Sequence, residues 1–265
     1  MDDTGRISPT AHYTSWVWYR NGLSYRSLAT PSGRALYHAL RPVELARTRF
    51  GRPGLEEMLL ARHRRIDRLL ANAIESGRVG QVLEVAAGLS PRGATFARRY
   101  PGLRYVEGDL PAMGSRKRRA LASAGLLHGE HRVVVLDALA DAGPTSIASV
   151  AAAHLDRRAG LAVVTEGLLS YFDRPTVEAL WRRIAVVLLE RGRGVYLSDL
   201  NLAGDVAGVG AALPFRLLLA AFTRGWVHLH FQTSGDVEAT LAAVGFGRAV
   251  VHEAGQLVRV FEASP

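Results

Sequence analysis

Apolar residues along this chain recur at helical spacing in some segments and form short continuous runs in others. They recur at helical spacing over about 55–74, and Gly77 ends that run. Short apolar runs then predict seven strands, at 81–87, 103–107, 132–136, 161–165, 194–197, 247–252 and 256–261. Helical patterns lie between most of them, at 91–100, 113–126, about 144–158, from Asp173 to Gly192, and at 234–244. The stretch at about 201–232 is apolar but irregular.

This alternation predicts an α/β fold with one doubly wound, Rossmann-like and mainly parallel sheet. Only residues 253–255 separate the last two strands, which is too short for a crossover helix, so we expect an antiparallel pair there. That ending is unlike an ordinary dinucleotide-binding domain. Residues 1–52 are rich in aromatic side chains and predict an N-terminal helical extension or lid, ahead of a main domain at 53–265.

Composition narrows the class of protein. The chain has 48% apolar and 22% charged residues, which is typical of a globular protein. It has no cysteine, which excludes disulfide scaffolds, thiolate metal sites and cysteine nucleophiles. The longest stretch without Asp, Glu, Lys or Arg, 142–155, is too short to span a membrane, and the acidic start lacks the apolar core of a signal peptide. We therefore expect a cytoplasmic protein with no membrane partner.

The net charge of +9 comes from 33 basic and 24 acidic residues. All the basic residues except Lys117 are Arg, a bias that is typical of GC-rich coding sequences. The arginines are dispersed, and the only basic tract is 116–119. A nucleic-acid partner is therefore not expected, and a protein that binds or modifies nucleic acid is the alternative.

The candidate chemistry lies where strands end. A turn of small residues at 86–90 follows the first strand and would let backbone approach a ligand closely. Asp109 ends the second strand, at a distance from Gly88 that suits a carboxylate bound to both ribose hydroxyls. Asp137 and Glu166 follow the third and fourth strands, and the carboxyl ends of parallel strands bound the ligand crevice. The alternative is that these are solvated acids at exposed strand ends.

Four segments carry a family resemblance: Arg62–Asp67 (RHRRID), Gln81–Leu89 (QVLEVAAGL), Tyr105–Pro111 (YVEGDLP) and Thr165–Phe172 (TEGLLSYF). In this order and spacing, the chain resembles class I S-adenosylmethionine-dependent methyltransferases of the leucine carboxyl methyltransferase and polyketide O-methyltransferase group. The resemblance implies a seven-stranded methyltransferase sheet and S-adenosylmethionine as the cofactor.

The resemblance also implies roles for individual residues at the cofactor. Arg62 would face the methionine carboxylate, with Arg64 and Arg65 as alternatives. The remaining roles are Glu84, Ala86 and Gly88 beneath the cofactor, Asp109 at the ribose, Asp137 near the adenine and Glu166 beside the amino end.

Two positions depart from the family pattern. Ala86 replaces a glycine, and its methyl group narrows the turn without forbidding it unless the backbone there needs a positive φ. Ser90 replaces an aspartate, which removes a charge but leaves a hydroxyl. These changes keep a non-catalytic S-adenosylmethionine-binding protein as an alternative.

We expect methyl transfer to an oxygen of a small, hydrophobic acceptor of the secondary-metabolite kind, either a carboxylate or a phenolic hydroxyl. An N-methyltransferase is the alternative. A carboxylate needs no general base, whereas a phenol benefits from one, for which the candidates are His12, His228 and His230. His228 and His230 have no third ligand in sight, so no metal is expected.

The acceptor pocket is expected between residues 10–26 and 201–232, which would form a lid. The candidate substrate residues are Tyr13, Tyr19, Tyr171, Trp226 and His228. The alternative for these aromatic segments is the interface of a homodimer or a simple cover for the sheet.

Overall fold

The computed structural model describes residues 9–51, 53–208 and 228–265. The strands in these ranges are β1 Gln81–Val85, β2 Arg104–Asp109, β3 His131–Val135, β4 Leu161–Thr165, β5 Gly194–Leu200, β6 Arg248–Glu253 and β7 Arg259–Ser264. The helices are α1 Pro9–Arg20, α2 Pro31–Arg49, α3 Leu55–Glu75, α4 Arg92–Arg99, α5 Pro111–Ser123, α6 Ile147–His154, α7 Arg174–Leu189, α8 Ala203–Gly208 and α9 Ser234–Ala243. A 3-10 turn covers Leu169–Tyr171.

The strands of the described residues form one seven-stranded sheet in the order β3-β2-β1-β4-β5-β7-β6. The neighbours from β3 to β5 pair in parallel, while β7 is antiparallel to both β5 and β6. The predicted fold class is confirmed, including the antiparallel pair at the end. The order reverses at β1 and β4, and a ligand crevice is expected beyond the carboxyl ends of these two strands.

Both faces of the sheet are covered, because its central strands are apolar on both sides. Val163 of β4 faces a core shared with α6, α7 and α9, whereas Val164 faces the core under α3 and α4. On the first face, the ring of Trp181 stacks on Phe231 at 5.5 Å and meets Phe261 edge-on at 5.4 Å. Helices packed on both faces thus hold the strands in place, and with them the carboxyl ends of the strands, where the candidate acids lie.

Side-chain caps start α7, whose cap at Asp173 the sequence predicted, and α9. The carboxylate of Asp173 accepts the N–H of Thr176 over 3.1 Å at the start of α7. Thr233 and Asp236 exchange hydrogen bonds in a capping box at the start of α9. Each cap satisfies backbone donors that have no partner inside the helix.

The N-terminal helices pack on α3. Their core contains Tyr13, Val17, Trp18, Tyr37, Leu55, Leu59 and Leu60. This core crosses the predicted boundary at residue 52, and the division into two domains stays a prediction. Among the described residues, no helix combines the length and the apolar character needed to cross a membrane.

Candidate functional site

A cavity of about 290 Å³ lies at the carboxyl ends of β1, β2 and β4. Its walls come from the turn after β1, the start of α5, the segment after β4, and α1 and α3. The lining residues are Thr10, Ala11, Thr14, Trp18, Arg62, Glu84, Ala86, Ala87, Gly88, Leu89, Ser90, Asp109, Leu110, Ala112, Met113, Glu166, Gly167, Leu168 and Tyr171. The cavity therefore occupies the crevice that the strand order predicts.

The turn after β1 is bonded directly to the acid that ends β2. The N–H of Gly88 donates to Oδ2 of Asp109 over 2.6 Å, and the N–H of Leu110 donates to Oδ1 over 2.8 Å. Burial raises the pKa of Asp109 above its ordinary value, although these two hydrogen bonds and the charge of Lys117 act in the opposite direction. Each carboxylate oxygen keeps a further lone pair for a ligand.

The backbone of the turn is left-handed at two residues. Gly88 has φ +50°, and a Cβ built there would meet no atom of the described residues within 4 Å. Ala86 has φ +54°, so the replacement of the family glycine is strained. The backbone at position 86 therefore does adopt the positive φ that favours glycine. This conformation costs an L-residue about 1–2 kcal/mol.

Ser90 uses its hydroxyl inside the protein. Its Oγ accepts the backbone N–H of Arg92 over 3.2 Å at the start of α4, and the residue is buried. The serine hydroxyl therefore accepts one of the N–H groups at the start of α4 that have no partner inside the helix.

Arg92, which is fully buried, ties three carboxylates together. Its Nε donates to Asp67 over 2.6 Å, its Nη1 to Glu84 over 2.7 Å, and its Nη2 to Glu166 over 2.5 Å. Burial would lower the pKa of the guanidinium, but the three carboxylates raise it well above its ordinary value. The acids of α3, β1 and the end of β4 thus share one buried cation.

Glu166 is bound by two arginines and a histidine at the wall of the cavity. Besides Arg92, its carboxylate contacts Nε of Arg62 at 2.9 Å and Nδ1 of His63 at 2.8 Å. Burial would raise the pKa of Glu166, but His63, Arg92 and Arg62 together lower it well below its ordinary value. Glu166 is therefore ionised and fully engaged at neutral pH.

Arg62 is held at the cavity wall by acids from two strand ends. Its Nη1 lies 3.2 Å from Oδ2 of Asp199, whose Oδ1 accepts the N–H of Gly167 over 2.6 Å. Arg64 and Arg65, the alternatives for its role, do not line the cavity. The guanidinium is thus fixed by two acids at the cavity wall.

The cavity brings together most of the residues predicted for the cofactor: Arg62, Glu84, Ala86, Gly88, Asp109 and Glu166 line it, and so does Tyr171. Asp137 does not line it, and its Oδ1 instead accepts the N–H of Leu139 over 2.9 Å. The roles of all these residues toward a bound molecule stay predictions.

The N-terminal segment reaches the cavity, although through other side chains than the predicted tyrosines. Tyr13 is buried against the ring of Tyr37 at 6.0 Å, and Tyr19 lies 5.6 Å from the ring of Trp16. The face of α1 toward the cavity instead carries Thr10, Ala11, Thr14 and Trp18.

None of the three candidate bases is among the lining residues in the described part of the chain. Nδ1 of His12 lies 2.9 Å from Oγ1 of Thr30, and burial and Arg116 lower its pKa. The rings of His228 and His230 lie 5.8 Å apart, and the N–H of His228 donates to the carbonyl of Ser170.

Trp226 and most of the predicted lid at 201–232 lie outside the described residues. Within the described ranges, no cluster of three or more His, Asp or Glu side chains is arranged to hold a metal ion.

Three residues of this site were not identified from the sequence: His63, Arg92 and Asp199. Asp199 had a signal, because it ends β5 as the other acids end their strands, but the predicted strand stopped at residue 197. Arg92 had no such signal in the sequence, because arginine is rarely fully buried.

A family model described as leucine carboxyl methyltransferase matches residues 24–185. No curated protein matches the chain. Solved structures with a similar fold include a Thermobifida fusca protein assigned as a methyltransferase, which has 15% sequence identity and a TM-score of 0.62, with 99% of this chain and 96% of that chain covered.

Two further similar structures are those of longer proteins. Human N-acetylserotonin methyltransferase in complex with S-adenosylmethionine has 15% identity and a TM-score of 0.53, with 97% of this chain and 71% of that chain covered. The S-adenosylmethionine-dependent methyltransferase SibL has 21% identity and a TM-score of 0.52, over 75% of this chain. This chain covers only 54% of SibL.

These similarities in structure concern the fold, whereas the family match concerns the sequence itself. It extends from the loop before α2 into α7 and includes every lining segment of the cavity except α1. Because it covers more than half of the chain, it shows that the chain belongs to the leucine carboxyl methyltransferase family of class I S-adenosylmethionine-dependent methyltransferases.

Proposed function

We propose that this protein is an S-adenosylmethionine-dependent O-methyltransferase whose acceptor is a small hydrophobic molecule with a carboxylate or a phenolic hydroxyl. One observation carries the proposal. Asp109, Glu166 and Arg62 come from three separate elements, and they line a single cavity with the left-handed turn at Gly88.

The residues present suit this cofactor. The carboxylate of Asp109 is fixed by two backbone N–H groups and retains lone pairs for ribose hydroxyls. The guanidinium of Arg62 suits a carboxylate such as that of the methionine part. Two of the three lining acids, Glu84 and Glu166, share the buried cation Arg92. The acids of the lining and of the network behind it, Glu84, Asp109, Glu166, Asp67 and Asp199, still outnumber Arg62 and Arg92, which suits a ligand bearing a sulfonium and an ammonium.

When bound, S-adenosylmethionine supplies a methyl group that is already activated for displacement. The chain then has to align the acceptor and exclude water. Trp18, Leu110, Met113, Leu168 and Tyr171 give the cavity an apolar side that suits these tasks and favours a hydrophobic acceptor.

The scarcity of free general bases in the described lining favours a carboxylate acceptor over a phenolic one. The described lining contains no histidine, and its glutamates already have partners. Glu84 accepts from Arg92 and from the hydroxyl of Tyr105, and Glu166 is bound by Arg62, His63 and Arg92. Outside the described ranges, residues 209–227 contain no His, Asp, Glu or Tyr in their sequence, and residues 1–8 contain Asp2 and Asp3 but no His, Glu or Tyr. A carboxylate is ionised at neutral pH and needs no base, whereas a phenol or an ammonium must first lose a proton.

The same chain offers one observation for a different function. Ala86 occupies a strained position in the turn where the family has glycine. A non-catalytic protein that binds S-adenosylmethionine is therefore the second candidate, and an N-methyltransferase is the third.

A transfer assay separates these candidates. The protein is incubated with S-adenosylmethionine labelled in its methyl group and with separate panels of hydrophobic carboxylic acids, phenols and amines. Methyl esters release labelled methanol in mild alkali, whereas aryl ethers and N-methyl products keep the label. We expect alkali-labile label with the acids. Alkali-stable label would indicate a phenol or an amine, and binding without transfer to any panel would support the non-catalytic candidate.

Matched variants keep the assay specific. Asp109→Ala removes a lining carboxylate, whereas Asp141→Ala removes an acid whose side chain is 87% exposed. The rate of methyl transfer is expected to fall in Asp109→Ala and to stay at the wild-type value in Asp141→Ala.

A further inference from the structure

Lys117 is the only lysine among the 33 basic residues of the chain, and it is fully buried. It lies in α5, and 1% of its side chain is exposed. A buried ammonium is costly unless the surroundings compensate its charge. Its environment should therefore show what the charge is used for.

The ammonium bridges two neighbouring strand ends. Nζ of Lys117 lies 2.9 Å from Oε1 of Glu107 in β2 and donates to the carbonyl of Ala87 over 3.2 Å. The other oxygen of Glu107 lies 3.2 Å from Nε2 of His131. Burial would raise the pKa of Glu107, but Lys117 and His131 lower it, so the carboxylate is charged and compensates the ammonium.

The contact with Ala87 clamps one peptide group of the turn at both ends. The carbonyl of Ala87 and the N–H of Gly88 belong to the same trans peptide, so they point in opposite directions. Lys117 binds the carbonyl end, and Asp109 accepts from the N–H end over 2.6 Å. The peptide joins Ala87, whose φ is not left-handed, to Gly88, whose φ is +50°. Glycine tolerates either orientation of such a peptide. The N–H of Ser90 donates to the same carbonyl of Ala87 over 3.0 Å, so the ammonium of Lys117 supplies a second, charged hydrogen bond that adds to this backbone contact.

The space around the ammonium explains why an arginine does not replace this lysine. Lys117, His131 and Gly93 surround the carboxylate of Glu107. They are packed so closely that a Cβ on Gly93 would collide with Glu107 and His131. A compact ammonium fits between a carboxylate and a carbonyl, whereas a planar guanidinium needs more room and a different geometry.

We propose that Lys117 is a positioning residue of the cofactor site: it holds the peptide between Ala87 and Gly88 so that the N–H of Gly88 stays on Asp109. The clamp is a property of the protein without ligand. Its consequence for S-adenosylmethionine rests on the proposed function.

The test compares two variants that differ only in the ammonium. Glu107→Gln removes the buried carboxylate and keeps Lys117, and Lys117→Met combined with Glu107→Gln removes both charges. The single variant leaves the ammonium without its counter-charge, so the ¹⁵N signal of its Lys117 side chain at pH 7 is recorded to show that it is still protonated. Hydrogen exchange of the Gly88 amide is measured without ligand, with Val163 of β4 as the internal reference. We expect exchange at Gly88 to be about tenfold faster in the double variant than in Glu107→Gln, with Val163 matched in both.

Affinity for S-adenosylhomocysteine gives the functional readout, and it is expected to be about tenfold weaker in the double variant than in Glu107→Gln. Equal exchange at Gly88 in the two folded variants would overturn the proposal. Faster exchange at Gly88 together with no ligand binding by the wild type would support the clamp and contradict the proposed function.

A measurement on the unaltered protein covers the case in which the double variant does not fold. Labelling with ¹⁵N-lysine gives a single side-chain nitrogen, because the chain has one lysine. A clamped ammonium should give a proton-detected signal at pH 7 with nuclear Overhauser contacts to Ala87. An ammonium that exchanges with water as fast as free lysine would overturn the proposal.

Discussion

The N–H of Gly88 and the carboxylate of Asp109 form a hydrogen bond of 2.6 Å between the turn after β1 and the end of β2. The two residues are 21 positions apart in the sequence, where they serve as separate candidates for two parts of a cofactor. In the fold they are one unit, so a change at either residue alters the other.

Replacing Ala86 with glycine is expected to stabilise the protein. The left-handed conformation at Ala86 costs an alanine about 1–2 kcal/mol, of which the greater flexibility of unfolded glycine cancels about 0.5–1 kcal/mol. We expect the free energy of unfolding in urea to rise by roughly 0.5–1 kcal/mol.

Ala87→Gly is the matched control, because Ala87 is adjacent and its φ is not left-handed. There the same substitution removes a buried methyl group and should lower the free energy of unfolding by about 0.5–1 kcal/mol. Destabilisation by both substitutions would show that Ala86 is not strained.

Glu166 is expected to make stability depend on acid pH. Its pKa is well below the ordinary value in the folded protein, so below about pH 4.5 the unfolded chain takes up a proton that the folded protein does not. The contribution of Glu166 is therefore complete above that pH and is lost as the pH falls toward the folded pKa. Glu166→Gln should cost about 3–5 kcal/mol at pH 7, because it leaves two buried arginines short of a charge.

Urea unfolding of both proteins from pH 7 to pH 3 tests this expectation, and the difference between them should narrow below about pH 4.5. Glu130→Gln serves as the control, since Glu130 and its partner Arg104 are both substantially exposed. That change should cost less than about 1 kcal/mol at every pH. A constant difference for Glu166→Gln across the range would contradict its role in the buried network.

The cavity face of α1 is expected to control access of the acceptor. Ala11→Leu adds apolar volume to the lining, so we expect the KM for the acceptor to rise about tenfold while affinity for S-adenosylhomocysteine changes less than about twofold. Deleting the segment is a poorer test, because Val17 and Trp18 belong to the core with α3.

Tyr19→Leu on the same helix is the matched control, since Tyr19 does not line the cavity. It should leave both quantities at their wild-type values. An unchanged KM in Ala11→Leu, or a matching rise in Tyr19→Leu, would place the acceptor elsewhere.

The order of strands and helices was predictable because burial on both faces gives the central strands continuous apolar runs. The predicted 161–165 coincides with β4, and 81–87 overlaps β1. The ends were less well predicted. β7 begins at Arg259, three residues after the predicted start, and α8 lies in a stretch that showed no helical period.

The acids of the site were predictable from topology, whereas their cations were not. Strand ends converge at one edge of a parallel sheet, which is enough to place Asp109 and Glu166 near each other. Arg92 and Lys117 are charged residues in helices, and a sequence alone makes such residues solvent-facing by default. Only packing shows that both are fully buried against the acids.

Calorimetric titration of S-adenosylhomocysteine into the wild type, Asp109→Ala and Asp141→Ala tests the central claim most directly. We expect one molecule to bind the wild type and Asp141→Ala with equal affinity. Asp109→Ala should lose about 2–3 kcal/mol of binding free energy, because it lacks charge-assisted hydrogen bonds to the ribose. No binding to the wild type, or unchanged affinity in a folded Asp109→Ala, would contradict the assignment of this cavity to the cofactor.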